Sequence, residues 1–333
     1  MRFSLDPHIN VRLQDSTSSI LEHTMNLNNP FSRARARIFL LAAILFAACS
    51  LAQAATRHST VTAPDGVTLA VQESGNPYGP AILFIHGLLG SHLNWDAQRA
   101  SPALQGYRLI SYDLRGHGLS GKPGGPAAYR EGRRWADDLA AVIAATKAHK
   151  PVLVGWSLGA AVISNYLAAY GDAAIGGAVY VNGVVELTDT RQIVAHPDVY
   201  RDLNASDLGT RLDAQRAFLA LCFHTRPDQG DFERLLGAAA MASWDMQAAV
   251  HSMDVSLRGL AAARAPVLLL YGARDALVHA APTMARGRQI NARIGQAVYA
   301  ESGHAPFVEE PERFARDLAR FVQSASRQGE SGG

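Results

Sequence analysis

Three side chains have the types and spacing to carry nucleophilic acyl transfer: Ser157, Asp275 and His304. Ser157 sits in Gly155-Trp156-Ser157-Leu158-Gly159, entered by the apolar run Val152-Leu153-Val154 and left by a small-residue helical pattern. A G-x-S-x-G in that setting holds its serine on a sharp strand-to-helix turn. A serine hydroxyl is a weak nucleophile until a base removes its proton, and that base must itself be oriented. His304, in Glu301-Ser302-Gly303-His304 just past the run 296–300, is the candidate base. Asp275, in Gly272-Ala273-Arg274-Asp275 just past the run 267–271, is the candidate to hold the imidazole tautomer. Asp275 is preferred to Glu301 and Asp254. Glu301 would emerge at the strand end rather than across from the ring.

Tetrahedral chemistry also needs donors aimed at the developing oxyanion. The backbone amide of Leu158, at the head of the helix behind Ser157, is one. The second is the amide of Leu88, in the loop His86-Gly87-Leu88-Leu89-Gly90 that follows the run 81–85. These donors are backbone groups, so their side chains are free to be leucine. His86 is expected to organise that loop by hydrogen bonding rather than to move protons.

Elements at strand ends must position all of these groups. Short Val/Ile/Leu runs alternate with Ala-rich helical stretches, which predicts an α/β protein with a doubly wound, mostly parallel sheet covered on both faces. Strands are expected at 67–71 (antiparallel), 81–85, 108–112, 151–155, 176–181, 267–271 and 296–300. Helices are expected at 135–148, 158–170 and 314–321. Roughly eighty-five residues separate the strand ending near Val181 from the one starting at Val267. A structureless loop of that length is unusual, so an inserted helical cap over 183–265 is predicted, with helical pieces at 212–223 and 232–241. The core then comprises 55–182 and 266–322, and the polar stretch 323–333 is expected to fray. Phe218 and Trp244 from the cap, with Trp95 and Trp156 near the serine, are the candidates to line a substrate pocket.

The first 54 residues do not read as part of this fold. Arg33, Arg35 and Arg37 precede an almost unbroken apolar run over 38–49, and Ala52-Gln53-Ala54 follows as a small-x-small cleavage pattern. That order is a secretory leader, and the run is too short to span a bilayer comfortably. Export to the periplasm or medium is therefore expected, with no stable transmembrane span after processing. Met25 would give a leader of more ordinary length than Met1. Phe46-Ala47-Ala48-Cys49 resembles a lipobox with Phe46 in the usual leucine position, which leaves a lipid anchor at Cys49 as the lesser alternative. The chain of 333 residues has 31 Lys and Arg against 29 Asp and Glu. Residues 1–54 hold five of the basic and three of the acidic residues, so 26 of each remain. The remainder is formally neutral and implies no nucleic-acid partner. Cleavage would leave Cys222 as the single cysteine, a small buried hydrophobe rather than a reactive thiol.

With these motifs in view, the sequence resembles the α/β-hydrolase superfamily over about residues 60–322. It is most similar to the branch of small serine esterases, non-haem haloperoxidase-like hydrolases, lactonases and carbon–carbon bond hydrolases. The resemblance rests on the His86 loop, Tyr112-Asp113-Leu114-Arg115-Gly116-His117-Gly118-Leu119-Ser120, the Ser157 turn, the Asp275 segment and Gly303-His304-Ala305-Pro306-Phe307. It implies an eight-stranded sheet, Ser157 as nucleophile, Asp275 as acid and His304 as base, with Asp113 and Arg115 buttressing the loops around the pocket. Dehalogenase and epoxide-hydrolase relatives place Asp where this chain has Ser157, so their chemistry is disfavoured. The haloperoxidase-like enzymes usually carry an aromatic or Pro-rich loop after the His-Gly pair. This chain has Leu88-Leu89-Gly90-Ser91 there, so perhydrolysis does not follow.

The expected activity is hydrolysis of a small or medium, largely nonpolar carboxylic ester or lactone through an acyl-enzyme. No metal or organic cofactor is called for, since no H-E-x-x-H pair is present and His86 alone makes no metal site. The same triad could instead serve carbon–carbon or amide bonds. A peptidase would need an anchor for the peptide amine, for which Glu186, Asp189 or Asp198 in the cap are the candidates. A non-catalytic small-molecule binder is the third alternative. Oligomeric state is not legible.

Overall fold

Eight strands form one sheet in a computed structural model that describes residues 56–186 and 190–331. They are β1 (Arg57–Thr62), β2 (Thr68–Gly75), β3 (Ala81–Ile85), β4 (Arg108–Tyr112), β5 (Val152–Trp156), β6 (Gly177–Val181), β7 (Val267–Gly272) and β8 (Gly295–Tyr299). The order is β1-β2-β4-β3-β5-β6-β7-β8, with β1 and β2 antiparallel to their neighbours and all later pairings parallel. Every residue of β3, β5 and β6 is buried. That burial is why these strands read as unbroken apolar runs: helices cover both faces of the sheet. Each fully buried Val, Leu, Ile or Phe contributes about 1.5–3 kcal/mol relative to an exposed one.

The helices are α1 (Asp96–Ala100), α2 (Ala127–Arg130), α3 (Gly132–Thr146), α4 (Leu158–Tyr170), α5 (Pro197–Asp202), α6 (Leu208–Leu221), α7 (Gln229–Ala240), α8 (Trp244–Ala249), α9 (Arg258–Ala262), α10 (Ala280–Ile290), α11 (Pro306–Glu309) and α12 (Pro311–Ser331). The central helix α4 follows β5 directly and is buried from Gly159 to Leu167. Helices α5 to α8 lie between β6 and β7 and form the helical cap. The chain is back on the core by Asp254, whose carbonyl accepts from Asn165 Nδ2 at 2.9 Å. Helix α9 then lies so close to α4 that a Cβ on Gly259 would fall 2.1 Å from the Leu167 carbonyl carbon.

Two of the differences from expectation lie at the ends of the fold. Strand β1 was not foreseen. It is an edge strand exposed at every position but Val61, so it lacks the apolar alternation that marks a half-buried strand. The closing helix, expected over 314–321, runs from Pro311 to Ser331 and takes in most of the stretch expected to fray. Phe314, Leu318, Val322 and Ala325 are buried at helical spacing, so the apolar face continues past residue 321. The arginine-led leader, the cleavage pattern and Cys49 lie outside the described residues. Among the described residues, no helix is long and apolar enough to cross a membrane.

Candidate active site

The parallel strands present their carboxyl ends along one edge of the sheet, and the candidate residues leave from those ends. In the register, Ile85 of β3 pairs with Gly155 of β5, Trp156 with Val181 of β6, and Gly272 of β7 with Tyr299 of β8. Ser157 is the first residue after β5. Its backbone has φ 50° and ψ −112°, an uncommon conformation for a residue with a Cβ. Such strain is held only where the surroundings over-determine it. Ser157 N donates to Val181 O at 3.0 Å, and Ser157 O accepts from Ala160 N at 3.0 Å. Two glycines make the turn feasible. A Cβ on Gly155 would lie 2.5 Å from Gly159 O, and one on Gly159 would lie 2.4 Å from Ile85 O. The two glycines of G-x-S-x-G are therefore steric requirements.

His304 Nδ1 lies 2.8 Å from Asp275 Oδ2, with both side chains only 1% exposed. A carboxylate accepts and does not donate, so Nδ1 carries the hydrogen, and in the neutral ring Nε2 holds the lone pair. Asp275 Oδ1 accepts from the amides of Leu277 and Val278 at 2.8 and 3.0 Å. The alternatives are placed elsewhere. Glu301 is largely exposed near Arg274, and Asp254 accepts from Gly132 N at 2.5 Å.

One residue here escaped the sequence reading. Asn182, the first residue after β6, is fully buried with φ 48°. Its Nδ2 donates to Asp275 Oδ2 at 2.7 Å and to Gly303 O at 3.3 Å, and its Oδ1 accepts from Gly272 N at 3.3 Å. It thus ties together the β7 and β8 loops that carry the acid and the histidine. Its signal was available: an Asn-Gly pair directly after a buried strand, at the functional end of the sheet. Glu309 fastens the same histidine loop, accepting from Gly303 N at 2.8 Å and Thr225 N at 2.7 Å. Burial raises the Glu309 pKa, and the amide donors only partly offset that rise.

Leu88 and Leu158 line the same cavity as Ser157 and His304. Leu158 is the first residue of α4, where helical amides have no partner within the helix. The Leu88 loop is locked by His86, whose Nε2 accepts from Leu114 N at 2.9 Å. Nδ1 must therefore hold the proton, and it donates to Gly87 O at 2.8 Å. Burial lowers the His86 pKa to about 4, so the ring is a neutral structural clamp.

Asp113 and Arg115 do not pair with each other. Asp113 accepts from the His92 amide and ring at 2.7 and 2.8 Å and from Leu119 N at 2.8 Å. Arg115 makes a two-pronged pair with Asp138 of α3, both bonds 2.6 Å, and reaches Asp65 at 2.9 Å.

The cavity measures about 160 Å³. Its core wall comprises Ser157 and His304 with Leu88, Leu158, Ala161, Leu277 and Val278, and its cap wall comprises Val184, Ile193, Tyr200, Phe218, Val250 and His251. Phe218 is therefore at the cavity, whereas three other expected pocket residues are not. Trp95 is fully buried between Phe84 and Phe307, with ring centroids 4.8 and 4.3 Å away. Trp156 packs against Phe307, and its Nε1 donates to His304 O at 2.8 Å, so it supports the histidine from behind. Trp244 turns outward and is 46% exposed, with the Arg211 guanidinium 4.0 Å from its ring centre. The half-exposed indole covers the buried Arg211 side chain and takes no part in the cavity. Of the proposed amine anchors, Glu186 pairs with Arg286 at 2.6 Å and Asp198 with Arg201 at 2.8 Å, and neither lines the cavity. Asp189 lies outside the described residues.

Comparison with known proteins agrees with this architecture. Residues 82–317 match the model of the "Alpha/beta hydrolase family". A crystal structure of a putative aryl esterase from Burkholderia cenocepacia is 66% identical, covering 81% of this chain and 100% of that one, with a TM-score of 0.80. The esterase RhEst1 from Rhodococcus sp. ECU1013 is 28% identical over 80% of this chain and 99% of its own, with a TM-score of 0.74. The bifunctional esterase/perhydrolase DCH of Acinetobacter calcoaceticus is 26% identical over 280 residues, 79% of this chain and 99% of its own. The chain belongs to the alpha/beta hydrolase family.

Proposed function

We propose that the protein is a serine hydrolase that cleaves small, largely apolar carboxylic esters, aryl esters among them, or lactones through an acyl-enzyme on Ser157. One observation carries the reading. The strained Ser157 turn shares a small apolar cavity with a histidine whose Nδ1 is engaged by a buried carboxylate. In this mechanism His304 Nε2 takes the Ser157 hydroxyl proton as Oγ attacks the ester carbonyl. The Leu88 and Leu158 amides stabilise the oxyanion. Collapse expels the alcohol, which takes the proton from His304. Water, deprotonated by the same nitrogen, then attacks the acyl-enzyme, and collapse releases the acid as Ser157 Oγ takes the proton back from His304. Asp275 stabilises the imidazolium that forms in each half.

The cavity size supports a small substrate. A dry apolar cavity of about 150 Å³ accommodates benzene, and the volume here is similar. The 66% identical putative aryl esterase points the same way. Peptide hydrolysis is less well supported, because no Asp or Glu is among the described residues lining the cavity.

Incubation with a fluorescent fluorophosphonate tests the assignment. The parent protein should label, and Ser157→Ala and His304→Ala should not. An unlabelled parent would refute the catalytic serine, and labelling that survives Ser157→Ala would refute the residue. The leader supports export with cleavage after Ala54. An exported protein whose amino terminus is Ala55 is the expected outcome, and a retained leader would contradict it.

A further inference from the structure

The cavity has two chemically different walls. Apart from Ser157 and His304, Tyr200 and His251 are the only described lining residues whose side chains can hydrogen-bond; the rest are aliphatic or phenylalanine. Both stand on the cap wall, Tyr200 on α5 and His251 on the short turn Val250–Ser252. Their rings meet edge to face, with centroids 5.1 Å apart and planes at 77°. Tyr200 also packs against Phe218, at 6.2 Å and 60°. Each ring is therefore oriented by its neighbours.

We propose that Tyr200 and His251 form a polar clamp that recognises a neutral hydrogen-bonding group, a hydroxyl or carbonyl, carried by the substrate at the end away from the scissile bond. The reason is desolvation. A ligand filling this cavity strips water from the phenol and the imidazole, and polar groups buried without a partner are costly. A wholly apolar substrate leaves that cost standing, whereas one polar substituent removes it. A site built this way discriminates strongly against the analogue lacking the group. The group recognised is neutral because no Asp, Glu, Lys or Arg is among the described residues lining the cavity, so a charge there would be buried without a partner. Burial pushes the Tyr200 hydroxyl up to about 12, with the Cys222 and Asp275 charges adding to the shift. Desolvation lowers the His251 pKa, although the residue as a whole is exposed. The substrate class is thus an ester or lactone with a ring-sized or short-chain body and one distal oxygen function.

This inference deepens the esterase reading and rests on it for the position of the scissile bond, so its test reads binding apart from turnover. In Ser157→Ala protein, calorimetric titration compares phenyl acetate with its three hydroxyphenyl isomers, and phenyl butyrate with phenyl 4-hydroxybutyrate. At least one hydroxylated ligand should bind about tenfold more tightly than its parent, the worth of one neutral hydrogen bond. Adding Tyr200→Phe or His251→Leu should bring that ratio to about one. A change in packing alone would weaken both members of a pair and leave the ratio intact. Tyr200→Phe keeps the ring contacts with Phe218 and His251, so it isolates the hydroxyl. The clamp is overturned if no hydroxylated ligand outbinds its parent, or if the advantage survives both substitutions. Turnover of phenyl acetate by the parent protein is measured separately, and its failure counts against the hydrolase reading alone.

Discussion

The core wall and the cap wall of the cavity are built by different rules. On the core wall, backbone geometry decides where each group sits. Ser157 is held by a positive φ and by two glycines that cannot accept a Cβ, while Asn182 and Asp275 sit at or just past strand ends aligned by the sheet register. On the cap wall, side chains from two helices and a turn meet one another. Tyr200, Phe218 and His251 form one ring cluster from three separate segments. The difference separates chemistry from choice of substrate. On the proposed reading, the core wall should tolerate few changes, whereas the cap wall should accept them one ring at a time.

Substitutions on the two walls should therefore fail differently. Asp275→Asn on the core wall should have the largest effect, about a 10⁴-fold fall in kcat, because it favours the wrong imidazole tautomer. A loss in KM alone would break the proposed division of labour. Asn182→Gly should follow. Glycine keeps the left-handed φ but deletes the amide that braces Asp275. Losing a hydrogen bond to a charged group, worth about 1.5–3 kcal/mol, predicts roughly a ten- to hundredfold lower kcat with little change in KM. Phe218→Ala on the cap wall should act the other way, raising KM for phenyl acetate about tenfold while kcat falls much less. Equal losses in kcat would place the cap wall in the chemistry.

A further, pH-dependent effect concerns the stability of the core around the Leu88 loop. Burial lowers the pKa of His86 to about 4 and of His117 to about 3. The unfolded chain protonates both rings near pH 6.5 while the folded one does not, so unfolding takes up protons below that pH. The stability these neutral rings contribute is complete above pH 6.5. It is lost as pH falls toward 4, by up to about 1.4 kcal/mol per unit for each ring. Ring NMR should find His86 neutral with its proton on Nδ1 at pH 5.5. A charged ring at that pH would mean the loop holding Leu88 is looser than its hydrogen bonds suggest.

The same contrast explains what the sequence reveals. Buried strands end at polar or glycine punctuation, so β3, β4 and α4 were found with their observed limits, and the order Ser157, Asp275, His304 followed from strand ends. Asn182 carried a comparable signal but no motif to draw attention to it. The cap resisted because aromatic residues there serve several ends. Trp244 covers the buried Arg211, and Trp156 braces the His304 carbonyl from beneath. Tyr200 lies in a short helix without apolar periodicity, and only the folded chain brings it to His251 and Phe218.

The most direct test of the central claim is an acid-quenched reaction of the protein with phenyl butyrate, followed by mass spectrometry of the peptide containing Ser157. The account predicts a butyryl adduct on Ser157 that forms within the first turnover, disappears after substrate is exhausted, and is absent in Ser157→Ala. Ester turnover with no adduct on Ser157, or turnover that persists in Ser157→Ala, would contradict it.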